Sequence, residues 1–153
     1  MAVRKPLTVF TVVASFLLCG GFSIQQGRII GPDHIDDPSW ALLAGNKFSI
    51  DEAKGLYKAD FNDSVKRLAG HDFRIAGYMM PLDAKLQSNH FIIVRRSPGC
   101  PFCPPNAVGE AVEVITKTPT RYTQELTSVE GVLQLEPTSS EGLFFKLSGA
   151  KVS

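Results

Sequence analysis

Two of the three cysteines stand in one tetrapeptide, Cys100-Pro101-Phe102-Cys103, within the stretch SPGCPFCPPN at residues 97–106. A thiol pair at this spacing supports disulfide exchange, ligation of a soft metal ion, or a structural disulfide that closes a small ring. Ser97-Pro98-Gly99-Cys100 has proline second and glycine third, the order of a type II turn, because Pro98 presets one φ and Gly99 accepts the next, positive one. Residues 100–103 again place proline second, and a β-turn brings its end Cα atoms within about 7 Å, so the two sulfurs are neighbours. That closeness meets the roughly 4.4–6.8 Å Cα separation of a disulfide and also suits two thiolates on one metal.

The tetrapeptide CPFC looks like the active site of glutaredoxins and related thioredoxin-fold proteins, a resemblance of four residues. In that fold a helix starts at the second cysteine, and its N-terminus lowers the thiolate pKa. Here Pro104, Pro105 and Asn106 follow, then the strand-like VEVITK at 112–117. Pro104 drives Cys103 towards extended geometry and no amphipathic stretch comes after, so exchange chemistry would have to sit on another scaffold. A metal reading asks for further ligands. If residues 73–80 and 90–96 pair as a hairpin, with paired numbers summing to about 171, His71 falls opposite Cys100. A zinc or copper site would then comprise Cys100, Cys103, His71 and either Asp72 or water. A surface histidine in a turn is the plainer reading of His71, since a structural zinc site normally shows four ligands in two spaced pairs. His90 starts the strand whose far end carries the loop, roughly 26 Å away at about 3.3 Å per residue, and is excluded as a ligand of these cysteines. Met79 and Met80 lie at that same distant end and read as core. The structural reading needs only a disulfide, with Pro98, Gly99, Pro101, Pro104, Pro105 and Asn106 shaping the loop; a ring this small adds local order rather than much global stability.

The elements that must position the loop follow from periodicity. Phe61, Val65 and Leu68 recur at i, i+4 and i+7, which predicts one short helix over 60–70, capped by Asp60 or Asn62 and ended by Gly70 in the left-handed conformation. After Gly70 come five runs bounded by turn residues, 73–80, 90–96, 111–117, 129–136 and 143–152, which read as strands. FIIV at 91–94 is apolar on both faces and reads as central, whereas VEVITK alternates and exposes one face. Short connections without long helices favour antiparallel pairing, and closure removes the sheet edges. The expectation is a mainly β protein, a five-stranded OB-like small barrel with one short N-terminal helix, with Gly77 and Gly131 at tight bends.

Ahead of this domain, expected over 51–153, lies MAVRKP and then residues 7–24, eighteen positions without a charge. A signal-peptide hydrophobic region runs about 7–15 residues and a spanning helix about 20, so residues 1–25 read as a signal peptide or a membrane anchor, with the anchor favoured. Cleavage after Gly21 or Ser23 is the other outcome. Cys19 reads as an apolar residue of this stretch; Leu18 stands where lipid attachment would want a small residue. Arg4 and Lys5 on the cytoplasmic side send the rest of the chain across the membrane, to the periplasm or the outer face of the inner membrane, where cysteines meet an oxidising space. Residues 26–50 read as a linker and docking segment: 26–39 mix Gly, Pro and acidic residues, with His34 solvated among Asp33, Asp36 and Asp37, while 40–43 and 48–50 are short apolar touches. Outside the head, fourteen basic face fifteen acidic residues, so charge recruits no nucleic acid. No Ser/His/Asp set, phosphate-binding glycine loop or paired-carboxylate motif is present, so no catalytic residue is assigned and a binding role leads over an enzyme.

Taken together, RIAGYMMPL at 74–82, HFIIV at 90–94, GCPFCPPN at 99–106 and GLFFKLSGAKV at 142–152 resemble a bacterial family of exported proteins of unknown function. Its pattern is G-[FY]-M-x-P-L, a strand, and then a cysteine-containing, proline-rich loop ending in Asn. The resemblance covers about residues 60–152. It implies a periplasmic location, often as a lipoprotein, and an association with ABC-type permeases of metal-handling systems. Many members carry C-x-H in the loop; here Cys100 matches the cysteine, Phe102 stands in place of the histidine, and Cys103 supplies another soft group. The expectation is an exported, membrane-anchored accessory domain with an envelope or transporter partner, with thiol-disulfide exchange and a purely structural disulfide as the alternatives.

Overall fold

The computed structural model describes residue 35, residues 37–96 and residues 107–153. The head at residues 1–25, the upstream part of the linker and the whole C-x-x-C stretch lie outside the described residues. In chain order the elements are α1 (Pro38–Ala44), β1 (Lys47–Asp51), β2 (Leu56–Asp60), α2 (Asp63–Lys66), β3 (Asp72–Pro81), β4 (Gln87–Val94), β5 (Ala111–Arg121), β6 (Leu126–Leu135), β7 (Thr138–Ser139) and β8 (Phe145–Val152). Five of them close a barrel in the order β3-β4-β5-β8-β6, with β6 returning to β3. Every pairing is antiparallel except β5 with β8, which is parallel. This is the expected mainly β, closed five-stranded architecture.

Alternation dictates which residues fill it. Phe91, Ile93, Val112, Val114, Leu133 and Leu147 are buried to 1% exposure or less and share the inner face through the pairs Phe91–Val114, Ile93–Val112, Leu133–Leu147 and Val114–Leu147. All four residues of FIIV are buried, as its two-faced apolar character requires. Gly131 lies where β6 and β8 approach so closely that a Cβ would stand 3.0 Å from the Ala150 backbone. Opposite it, β8 bulges at Gly149, whose φ of 61° suits a residue without Cβ.

Alpha2 is the helix expected over 60–70, reduced to one turn. Asn62 caps it by accepting from the Val65 N–H, Phe61 and Val65 are buried, and Gly70 ends the segment at φ 80°. A second helix, α1, occupies what the sequence reads as docking segment. Asp37 caps it, Pro38 takes the first turn where its missing N–H costs nothing, and Trp40 and Leu43, three apart, are fully buried. Residues 47–60 form the β1-β2 hairpin, joined by β7 into a small second sheet. Phe48 of β1 stacks on Phe144 at 5.1 Å between ring centroids, which ties that hairpin to the barrel.

The entry of the chain into the barrel explains the shape of this end. The β3–β4 ladder runs from Pro81–Phe91 to Tyr78–Val94 and there stops. Beyond it, Ile35, Asp37 and Trp40 take up the backbone groups that a longer ladder would use. Ile35 N–H donates to the Arg95 carbonyl at 3.3 Å, Ala76 N–H donates to Asp37 Oδ2 at 3.1 Å, and Trp40 Nε1–H donates to the Ala76 carbonyl at 2.7 Å. Gly77 makes room, because a Cβ there would run into Ile93 and stand 3.2 Å from the Trp40 ring. Asn46 then couples α1 to α2: its amide donates to the Leu43 carbonyl and its Oδ1 accepts from Asn62 N–H. Asp37, Trp40 and Asn46, the polar side chains drawn out of water here, each have a partner.

Candidate functional site

The C-x-x-C stretch joins β4 to β5, and the residues on either side of it are described. Arg95 and Glu110 meet by both backbone and side chain: Arg95 N–H donates to the Glu110 carbonyl at 3.2 Å, and Arg95 Nη1 donates to Glu110 Oε1 at 3.1 Å. Arg96 Nε stands 3.5 Å from Glu110 Oε2, an ion pair without hydrogen-bond geometry, so that oxygen is buried and lacks a hydrogen-bond partner among the described residues. Arg95 Nε also donates to the Ile35 carbonyl at 3.3 Å. The carboxylate side chain is only 9% exposed, and charges are buried this far when they are paired. On the β5 side, Gly109 adopts φ 90° and packs so near β1 that a Cβ would stand 2.9 Å from the Phe48 ring. The stretch therefore leaves and re-enters the barrel at a base fixed by one carboxylate, two guanidiniums and a glycine against an aromatic ring.

Glu110, Arg95 and Arg96 were not singled out by the sequence reading. Their signal was a basic pair immediately before the proline-rich stretch and a lone acid just before the next strand. Cys100 and Cys103, and Pro98, Gly99, Pro101, Pro104, Pro105 and Asn106, lie outside the described residues.

His71 and Asp72 are described, and both are exposed. His71 N–H donates to the Leu68 carbonyl at 3.1 Å and its carbonyl accepts from Leu133 N–H at 3.0 Å, which places it beside β6. Paired numbers along β3 and β4 sum to 172, as in Tyr78–Val94, close to the expected sum of about 171, and the ladder ends there, with Ile35 and Asp37 bonding Arg95 and Ala76 beyond it. Cys100, expected opposite His71, lies outside the described residues. Asp72 pairs with Val132 and lines a cleft over β6 and β8. Among the described residues no three His, Cys, Asp or Glu side chains group as metal ligands. Met79 and Met80 are buried, as core residues should be.

His90 sits on the outer face at a β-bulge between Ser88 and His90. Its Nε2 lies 2.6 Å from Glu113 Oε1, and Glu113 Oε2 receives Lys146 Nζ at 3.1 Å, so the imidazole, carboxylate and ammonium tie β4, β5 and β8 together. Among the described residues no helix is long and apolar enough to cross a membrane.

Comparison with known proteins places this architecture. Residues 42–148 match a family model described as a protein of unknown function, DUF3299. The chain belongs to the DUF3299 family. The match takes in the end of α1, the second sheet and most of the barrel, so the DUF3299 unit begins well ahead of the barrel strands. Searches of curated proteins and of solved structures found no match.

Proposed function

We propose that this DUF3299 protein is an exported, membrane-anchored binding or accessory domain of a bacterial envelope system that presents Cys100 and Cys103 to a soft metal ion, zinc or copper, or to a transporter partner. The observation that carries the reading is the base of the β4–β5 connection, where Glu110 is buried between Arg95 and Arg96 and one backbone hydrogen bond joins Arg95 to Glu110. Rigid strands on both sides are what a binding loop needs if its ligands are to be held in place before the ligand arrives. The eighteen uncharged residues at 7–24 support export and anchoring. The balanced charge of the remainder supports a partner other than nucleic acid.

The test uses the full chain purified from membranes in detergent. Its intact mass reports cleavage, lipidation and thiol oxidation together; metal analysis and a redox titration of the cysteine pair follow. Zinc or copper near one equivalent, lost in Cys100→Ser, is the expected result. A couple more stable as disulfide than about −300 mV, with no metal uptake after reduction, overturns the reading and leaves a structural disulfide. A strongly oxidising couple without metal would replace it by thiol-disulfide exchange.

A further inference from the structure

The barrel carries a partly open cleft of about 670 Å³ across β6 and β8. Its size falls within the range of small-ligand sites, roughly 300–1,000 Å³. Gly131 of β6 and Gly149 at the bulge of β8 are among the residues that line it. Four charged side chains line it, and their placement is ordered. Asp72 is on β3 and Glu130 on β6, whereas Lys151 is on β8 and Lys117 on β5, beside Gly149. In the barrel order β3-β6-β8-β5, acid therefore occupies one half of the cleft and base the other.

These charges do not satisfy one another. Glu130 and Lys151 stand opposite across the β6–β8 ladder, yet neither they nor Asp72 nor Lys117 make an ion pair or a side-chain hydrogen bond among the described residues. On the same barrel, Lys146 and Glu113 at a comparable cross-strand position do pair, at 3.1 Å. Ser148 also lines the cleft, and its hydroxyl makes one long contact of 3.5 Å to the Val132 carbonyl, which leaves it free to accept a hydrogen bond.

We propose that this cleft binds the two charged ends of a short extended peptide, the ammonium against Asp72 and Glu130 and the carboxylate against Lys151 and Lys117. A simple anion would meet both carboxylates and a simple cation both lysines, so only a ligand carrying opposite charges at its two ends gains from every wall. Length follows from strand spacing. Neighbouring strands lie about 4.8 Å apart, so the β6-to-β5 distance is roughly 10 Å, and three extended residues span about 10 Å. A tripeptide fits, and its backbone N–H groups reach the Ser148 hydroxyl.

The probe is trialanine, which has no charged side chain, titrated into the isotopically labelled full chain in detergent while the amide resonances of Gly131 and Gly149 are followed. Saturable shifts at those two glycines are expected, with N-acetyl-trialanine and trialanine amide each binding about tenfold more weakly, as loss of one charge-assisted contact implies. Glu130→Gln removes the discrimination against the acetylated peptide, and Lys151→Gln removes that against the amide; both side chains are exposed, so the other amide resonances stay in place. The proposal is overturned if trialanine gives no saturable shift up to about 10 mM, the weak limit of a specific small-ligand site. Equal binding of a peptide capped at both ends overturns it too, as does unchanged discrimination in both variants.

Discussion

Asp37 lies one residue before α1 and touches two elements at once, so its removal reports how the chain enters the barrel. Oδ1 accepts the Ser39 N–H at 2.8 Å as the helix cap, and Oδ2 accepts the Ala76 N–H at 3.1 Å from β3. In Asp37→Ala the cap is worth about 1 kcal/mol. The second bond, from a backbone donor to a charged acceptor, adds about 1.5 kcal/mol, because Ala76 N–H has no other strand to pair with at that edge. Asp37 is only part-buried, so the sum is held to about 2 kcal/mol, which corresponds to a fall in Tm of roughly 4–8 °C for a chain of this size. Asp37→Ser keeps a capping oxygen but loses the bridge, and should fall between the two. The dependence on pH carries a sign. Burial pushes the carboxyl up, but the hydrogen bonds from Ser39 and Ala76 outweigh it and hold the group below its ordinary value of 3.8. A lowered folded pKa means that the stabilisation is complete above 3.8 and is lost as pH falls through the folded value. Thermal unfolding of the full chain at pH 7 and at steps down to pH 3 is the assay. The gap between wild type and Asp37→Ala should be constant above about pH 5 and narrow below pH 4. A gap under about 0.5 kcal/mol at pH 7, or one that widens on acidification, refutes the bridge.

Two further substitutions probe the same end of the barrel. Gly77→Ala places a Cβ against Ile93, 2.8 Å from the Val94 carbonyl oxygen and 3.2 Å from the Trp40 ring; with backbone as one neighbour the site cannot relax, and a loss of about 3 kcal/mol in a urea melt is expected. Glu110→Gln leaves Arg95 and Arg96 without their counter-charge at the base of the C-x-x-C stretch. The expected cost is about 2 kcal/mol, below that of a fully buried pair since Arg96 is half exposed, with faster amide exchange at residues 107–111 as the local readout.

The strands were legible because their patterns are local. VEVITK alternates and FIIV is apolar throughout, and each takes the face its pattern demands. The helix α1 carries readable cap signals, Asp37 followed by Pro38, but it is seven residues long with two buried anchors, Trp40 and Leu43. Such a helix is stable only through what it packs against, and composition around it reads as linker. The hairpin of β1 and β2 is harder still: its residues are half-buried or exposed, and its tie to the barrel is Phe48 on Phe144, ninety-six positions away in the chain. Spacing singled out Cys100 and Cys103, which lie outside the described residues, and the projection from them to His71 runs past the Tyr78–Val94 end of the ladder, where Ile35 and Asp37 enter the seam. Glu110 was invisible because its partners lie fifteen and fourteen positions upstream, across a stretch whose own residues say nothing about charge.

The topology gives the β4–β5 connection a particular mechanical standing. Beta4 is hydrogen-bonded to β3 and β5, and β5 to β4 and, in parallel, to β8, so both strands that carry the connection are paired on both edges. An insertion at a sheet edge can shift register; one springing from two interior strands cannot, because slipping β5 by one residue would turn Val112 and Val114 out of the core and Glu113 into it. The salt bridge of Arg95 with Glu110 closes the same seam from outside the ladder. The barrel on either side of the connection is thus set by the ladders of β4 and β5 and by the Arg95–Glu110 pair.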